Sequence, residues 1–154
     1  MIKENYDWSQ FTQRVAVAAP VDKVFRMWTD PLQLQSWFVS EAKMDLKKGG
    51  EYEWTWFGGS KEEGKILGVK KPNKIIFTFA HSICEVEVKK DKRGSLVVLR
   101  QYDIPIGDEE KVNIHLNCSC GWTFYLTNLK TYLEFGIDLR ENENDLINSG
   151  SLIC

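Results

Sequence analysis

Reactive chemistry in this chain would have to start from its few cysteines and histidines. Cys118-Ser119-Cys120 sets two thiols one residue apart, a spacing that invites a metal or redox reading. The stretch lies in a helical pattern, and side chains two positions apart on a helix point about 160° away from each other, so both thiols do not reach one ion. Zinc pairs use at least two intervening residues, and the rest of a tetrahedral ligand set is missing. Buried thiols are the better reading. His81 and Cys84 are close in sequence, but they span a turn and lack a third group to orient the histidine. The other histidine, His115, stands in no ligand spacing of the HExxH kind. Glu62-Glu63 and Glu109-Glu110 read as solvated loop charge, because acid–base work needs desolvated carboxylates. There is no GxGxxG and no phosphate-cradling loop. The residues thus predict no catalytic set, no metal and no cofactor.

The aromatic residues offer something different. In GGEYEWTWFGG, residues 49–59, Tyr52, Trp54 and Trp56 fall at every second position and share one face of a strand. The chain holds six Trp and eight Phe, with aromatics at 12%. Each such ring buries ~150–250 Å² and packs well by itself, which suits plain core. Indole N–H and phenol O–H groups also need partners once buried, and apolar walls with a few polar points describe a small-molecule site. The candidate walls are Trp54 and Trp56 on one strand, Phe77 and Phe79 on another, and Trp122, Tyr125 and Leu129 on a helix. Trp37, with Phe38, would stand near the mouth, and a glycine-bearing loop over 57–62 would gate it. Tyr52 and Arg100 would add polar points if they faced inward; for Arg100 a solvent-facing position is expected.

The elements that must position these residues follow from periodicity. FTQRVAVA, 11–18, alternates like a strand, with Phe11, Val15 and Val17 on one side. Pro20 suits the first turn of a helix over 20–29, whose apolar stripe is Val21, Val24, Phe25 and Trp28. Asp30-Pro31 breaks it, and Asp30 can cap a second short helix carrying Leu32, Leu34 and Trp37. The period then changes to two. Ala42, Met44 and Leu46 alternate with charge, Lys48-Gly49-Gly50 turns the chain, and Gly58-Gly59-Ser60 turns it again after Trp56. Further strands are read at 62–69, around Ile75, Phe77 and Phe79, at 84–89 and at 95–103, separated by Lys71-Pro72-Asn73 and Asp91–Gly94. Short strands at this spacing predict an antiparallel meander. From 117 a long helical stripe, Cys118, Trp122, Tyr125, Leu126, Leu129, Tyr132 and Leu133, runs to Gly136, a natural C′ residue. Residues 108–116 can begin that helix or form a connection. The polar tail, 138–154, is expected to lie loosely on the surface. A meander must cover its apolar face, and only the final helix carries a stripe long enough to do so.

VAAPVDKVFRMWTDPLQLQSWF resembles the opening of START-like (SRPBCC) ligand-binding domains. Within them it is most similar to the branch homologous to the activator of the ninety-kilodalton heat-shock chaperone's ATPase. The carrying residues are Ala19-Pro20, Val24-Phe25, Trp28-Thr29-Asp30-Pro31 and Trp37-Phe38, joined by the Gly49-Gly50 turn, Glu63-Gly64-Lys65-Ile66 and Gly121-Trp122 with Leu129. The resemblance spans about residues 11–136. It implies an α+β helix-grip fold, a curved antiparallel sheet around a long C-terminal helix, often with an apolar cavity between them. It also implies a role in the stress response as a chaperone partner, or, from other START-like proteins, polyketide cyclase or aromatase activity. No separate chaperone-binding domain is visible in the chain.

The totals are consistent with one domain over 1–154. With 154 residues, 43% hydrophobic and 27% charged, the chain can bury a core without staples. A net charge of −2 offers no broad attraction for nucleic acid. The basic pairs Lys70-Lys71 and Lys89-Lys90, with Lys92-Arg93, fall at hairpin ends as solvated charge. No signal-peptide core opens the chain and no apolar run reaches membrane-span length, so a cytoplasmic protein with reduced Cys84, Cys118, Cys120 and Cys154 is expected. The favoured function is non-enzymatic binding of a small apolar ligand, lipid-like or aromatic, in a cavity between the sheet and the C-terminal helix, with a monomer or an edge-paired homodimer as the assembly.

Overall fold

The structure, a computed structural model, describes residues 5–143. Strand β1 (Phe11–Val17) is followed by helices α1 (Val21–Thr29) and α2 (Pro31–Trp37). Six strands come next: β2 (Glu41–Met44), β3 (Glu51–Thr55), β4 (Lys61–Lys70), β5 (Lys74–Phe79), β6 (Ser82–Asp91) and β7 (Gly94–Tyr102). They form one antiparallel sheet in the order β1-β7-β6-β5-β4-β3-β2, so the chain meanders and only β1 crosses over to pair with the last strand. A helical rod closes the chain: α3 (Asp108–Glu110), a wide π-type segment (Lys111–Leu116) and α4 (Asn117–Phe135). This is the curved sheet and long terminal helix of the α+β helix-grip fold, in the expected element order.

Local chemistry explains the boundaries. Asp30 Oδ1 accepts the Leu32 N–H at 2.9 Å and Pro31 fills the first turn of α2, as the sequence predicted. Gly136 ends α4 at φ 68°, in the left-handed region where glycine has no Cβ to clash, and its N–H reaches Tyr132 O at 2.9 Å. Residues 108–116, open in the sequence, are helical. Their apolar residues hide the pattern: Val112 and Leu116 are 58% and 49% exposed, while Ile114 and His115 are buried. The wide segment re-phases the stripe so that Cys118, Trp122, Leu126 and Leu129 continue the inward side.

The apolar face of the sheet is built from alternate residues. Cys84, Val86 and Val88 of β6 and Val97 and Leu99 of β7 are fully buried, while Glu85 and Glu87 on the other face meet Lys74 at 3.6 and 3.3 Å. Helix α4 lies across the apolar face and seals β1, an edge strand. Gln13 Nε2 donates to Ser119 O at 2.8 Å, Lys130 Nζ donates to Ala16 O at 2.7 Å, and Glu134 Oε1 accepts from Ala18 N at 2.9 Å. Two backbone groups at and just beyond this edge, Ala16 O and Ala18 N, are thereby satisfied. The segment before β1 is tied to the rod by His115, 1% exposed. Its Nδ1 faces the Trp8 carbonyl at 2.8 Å and must carry the proton, so Nε2 accepts from the Tyr6 hydroxyl, also at 2.8 Å.

Two expectations are corrected. The tail does not lie loosely through its first residues: Asp138, Leu139 and Arg140 are hydrogen-bonded to Asn128 and to the α2 region. Residues 144–154 of that tail, with Cys154, lie outside the described residues. The 57–62 loop is shorter than read, because Lys61 and Glu62 already belong to β4. Among the described residues no helix is long and apolar enough to cross a membrane.

Candidate functional site

The candidate site is the aromatic cluster between β3, β5, the α2 end and α4. Strand alternation aims Tyr52 and Trp54 inward, and register sets them opposite Gly64 and Glu62 of β4. Gly64 is required there: a Cβ would lie 2.6 Å from the Tyr52 ring and 2.6 Å from Thr78 Oγ1. The Tyr52 hydroxyl donates to Thr78 O, and burial holds its pKa far above the usual phenol range, so it stays neutral. Tyr52 and Trp54 lie tilted against each other at 4.0 Å, and Trp54 meets Phe77 edge-on at 5.3 Å.

Phe38 is the hub. It stacks on Trp122 at 5.2 Å and on Trp37 at 5.2 Å, and it meets Trp54, Trp56 and Tyr125 edge-on at 5.4, 5.4 and 5.0 Å. These are favoured geometries for ring quadrupoles. Trp37, Trp54, Phe77, Trp122 and Leu129 are 0–2% exposed and form a packed floor. Trp37 and Phe38, expected near the mouth, are instead fully buried, because Phe38 stacks between Trp37 and Trp122. Trp56, Phe79 and Tyr125 are half-buried and form the rim above it. Phe79 joins the two levels, 5.2 Å from Trp122 and 6.3 Å from Trp56. All eight sequence-selected wall residues are therefore brought to one region, five as floor and three as rim.

Polar groups inside this space fall into two kinds. Gln101 of β7, fully buried, accepts the Trp122 Nε1–H at 2.9 Å and donates to Ser82 Oγ at 2.8 Å. Trp37 Nε1 donates to Met27 O at 2.8 Å. The Trp54 Nε1–H, by contrast, is buried with no acceptor, as is the Trp28 Nε1–H deeper in the same cluster, against Trp37 and Trp122. A buried donor without a partner costs about 1–3 kcal/mol, unless something else supplies the acceptor. Cys84 and Cys118 line the same space. Burial pushes both thiols up, Cys84 well above its ordinary value, so neither is an activated nucleophile. Cys120 is on the exposed side of the helix, and His81 is exposed at the β5–β6 turn while Cys84 is buried, so neither reactive pairing is assembled. Arg100 faces outward, its guanidinium 4.4 Å from the Tyr102 ring centroid. Among the described residues no three His, Cys, Asp or Glu side chains converge as a metal site would require.

Sequence reasoning missed three contributors. Glu62, read as solvated loop charge, is a half-buried β4 residue on the Trp54 side of the sheet. Register with Trp54 was the signal that could have revealed it. Asn128, fully buried, donates to Trp37 O at 2.8 Å and to Asp138 Oδ1 at 3.0 Å. Arg140 donates to Val39 O and Gln35 O, both at 2.9 Å, and covers the Phe57 ring at 5.1 Å, strapping the β3–β4 loop to the α2 end. A lone Asn on a helix and an Arg in a polar tail carry no periodic signal.

A meander gripping a terminal helix over an aromatic interior defines the START-like class. The chain belongs to the family described as activator of Hsp90 ATPase homolog 1-like proteins, whose model matches residues 18–134. Solved structures of similar fold include a protein from Staphylococcus saprophyticus, at 22% identity and a TM-score of 0.75, covering 85% of this chain and 96% of that one. An AHSA1-like protein from Aeromonas hydrophila is 19% identical with a TM-score of 0.69, covering 87% and 99%. The Aha1 dimer from Colwellia psychrerythraea is 15% identical with a TM-score of 0.70, covering 82% and 97%. No curated protein matches the chain.

Proposed function

We propose that this protein binds a small apolar molecule with an aromatic body, without turnover, at the rim made by Trp56, Phe79 and Tyr125. The observation that carries the reading is the buried, unsatisfied Trp54 Nε1–H, with the half-buried Phe79 ring 6.3 Å from the Trp54 ring. Rim rings supply apolar area and the orphan donor supplies a point of orientation, which is how small-molecule sites achieve selectivity. Cys84, Trp37, Phe77, Trp122 and Leu129 form the wall behind it, and a guest entering more deeply would part the rim from the floor. The Arg140 strap on Phe57 sets how freely the β3–β4 loop moves aside.

Titration with 2-naphthalenemethanol, a neutral bicyclic ring with one hydroxyl acceptor, tests this by calorimetry. Saturable one-to-one binding is expected. Trp56→Ala and Tyr125→Ala should each weaken it about tenfold, equivalent to about 1.4 kcal/mol. Absence of saturable binding, or unchanged affinity in both folded variants, contradicts the proposal.

The family description favours a second reading, in which the protein contacts an Hsp90-type chaperone through its outer surface. That reading expects a faster chaperone ATPase rate on addition of the protein; the small-molecule reading expects none.

A further inference from the structure

Within the proposed site, and resting on that reading, we infer that the ligand is an organic cation: an aromatic or apolar body bearing a protonated amine that pairs with Glu62. Glu62 lies opposite Trp54 in the β3–β4 register, so its side chain leaves the sheet on the aromatic face. Its Oε1 accepts the Ala80 N–H at 2.9 Å. That bond fixes the carboxylate beside the turn carrying Phe79, where Ala80 and His81 hold positive φ of 48° and 59°. These are the two central residues of the tight β5–β6 hairpin, whose turn type requires positive φ at both.

Among the described residues no cation answers this carboxylate. Lys61, its chain neighbour, pairs with Glu53 at 3.4 Å. Glu53 also takes Lys43, at 3.9 Å, and Arg140 pairs with Asp138. The Glu62 charge is felt inside the site, where it adds to burial in raising Cys84, Cys118 and Tyr52. A half-buried carboxylate on the sheet face that carries Trp54, held beside the turn that follows Phe79, combines a charge partner with nearby ring quadrupoles, and both attract a cation. The same charge repels fatty acids and other carboxylates, so it selects by exclusion as well as by attraction.

The experiment compares 2-naphthylmethylammonium with 2-naphthalenemethanol and 2-naphthoate on the intact protein at pH 7 and low salt, by calorimetry. The ammonium compound leaves the Trp54 Nε1–H unpaired but gains the Glu62 charge, and should bind about tenfold more tightly than the alcohol; 2-naphthoate should bind more weakly than both. Glu62→Gln keeps an amide oxygen for the Ala80 N–H. It should bring the ammonium compound down to the affinity of the alcohol measured on the same variant. An ammonium compound bound no more tightly than the alcohol, or a preference that survives Glu62→Gln, overturns the inference while the aromatic site stands. Binding of neither compound overturns both.

Discussion

Trp122→Ala is expected to lower stability by about 4 kcal/mol. Trp122 is 2% exposed, stacks on Phe38, touches Phe79 at 5.2 Å and lies 5.9 Å from Trp28. Truncating a core tryptophan removes its transfer free energy and leaves a cavity, together about 3–5 kcal/mol. It also strips Gln101 Oε1 of its indole donor, deep beneath the sheet. Against a typical total of about 5–15 kcal/mol the loss is large. Urea unfolding of the variant should show a lower midpoint at an unchanged slope. Trp122→Phe keeps most of the ring contact but loses the hydrogen bond, and should cost clearly less. Equal costs for the two would mean that the Gln101 bond, not ring packing, holds the residue. A cost below about 1 kcal/mol for alanine would contradict the packed floor altogether.

Asn128→Ala should cost about 3 kcal/mol through a different physics. The side chain fills no large volume; it closes three hydrogen bonds. Nδ2 donates to Trp37 O and to Asp138 Oδ1, and Oδ1 accepts the Leu139 N–H at 2.6 Å. Each net bond contributes about 0.5–1.5 kcal/mol, and a buried group left unpaired costs more. The effect should also spread. Asp138 and Leu139 position Arg140, so amide exchange at Leu139 and Arg140 should accelerate in the variant while the β6 and β7 amides stay protected. Protection that remains unchanged at 139–140 would show that Arg140 holds the strap without Asn128.

The course of the chain was legible where one physical signal dominated. The meander from β2 to β7 is half-buried throughout, so inward and outward residues alternate and the period of two stands out, as in Cys84-Glu85-Val86-Glu87-Val88. Caps at Asp30 and Gly136 announce themselves because few residues suit those positions. The inward placement of the large aromatics was legible because they had only one covered face to occupy. Their division was not: alternation says which way Trp54 and Trp56 point, but not that one is floor and the other rim. That difference arises from where Phe38, at the end of α2, inserts its ring. The rod at 108–116 was obscured because a π-type widening breaks the helical period. Asn128 and Arg140 act through single tertiary hydrogen bonds, which leave no pattern in the chain. Glu62 opens the strand read at 62–69, but its charge reads as solvated, whereas its partner across the ladder is a buried tryptophan.

The central claim is that Trp56, Phe79 and Tyr125 form a binding rim over the unpaired Trp54 indole. Indole N–H resonances of uniformly ¹⁵N-labelled protein, titrated with 2-naphthalenemethanol, test it most directly. The account predicts saturable shifts of the Trp54 and Trp56 indole signals, with Trp54 moving downfield as it gains an acceptor, and a still Trp8 signal. Saturation that leaves Trp54 and Trp56 unmoved, or that moves Trp8 alone, would contradict it.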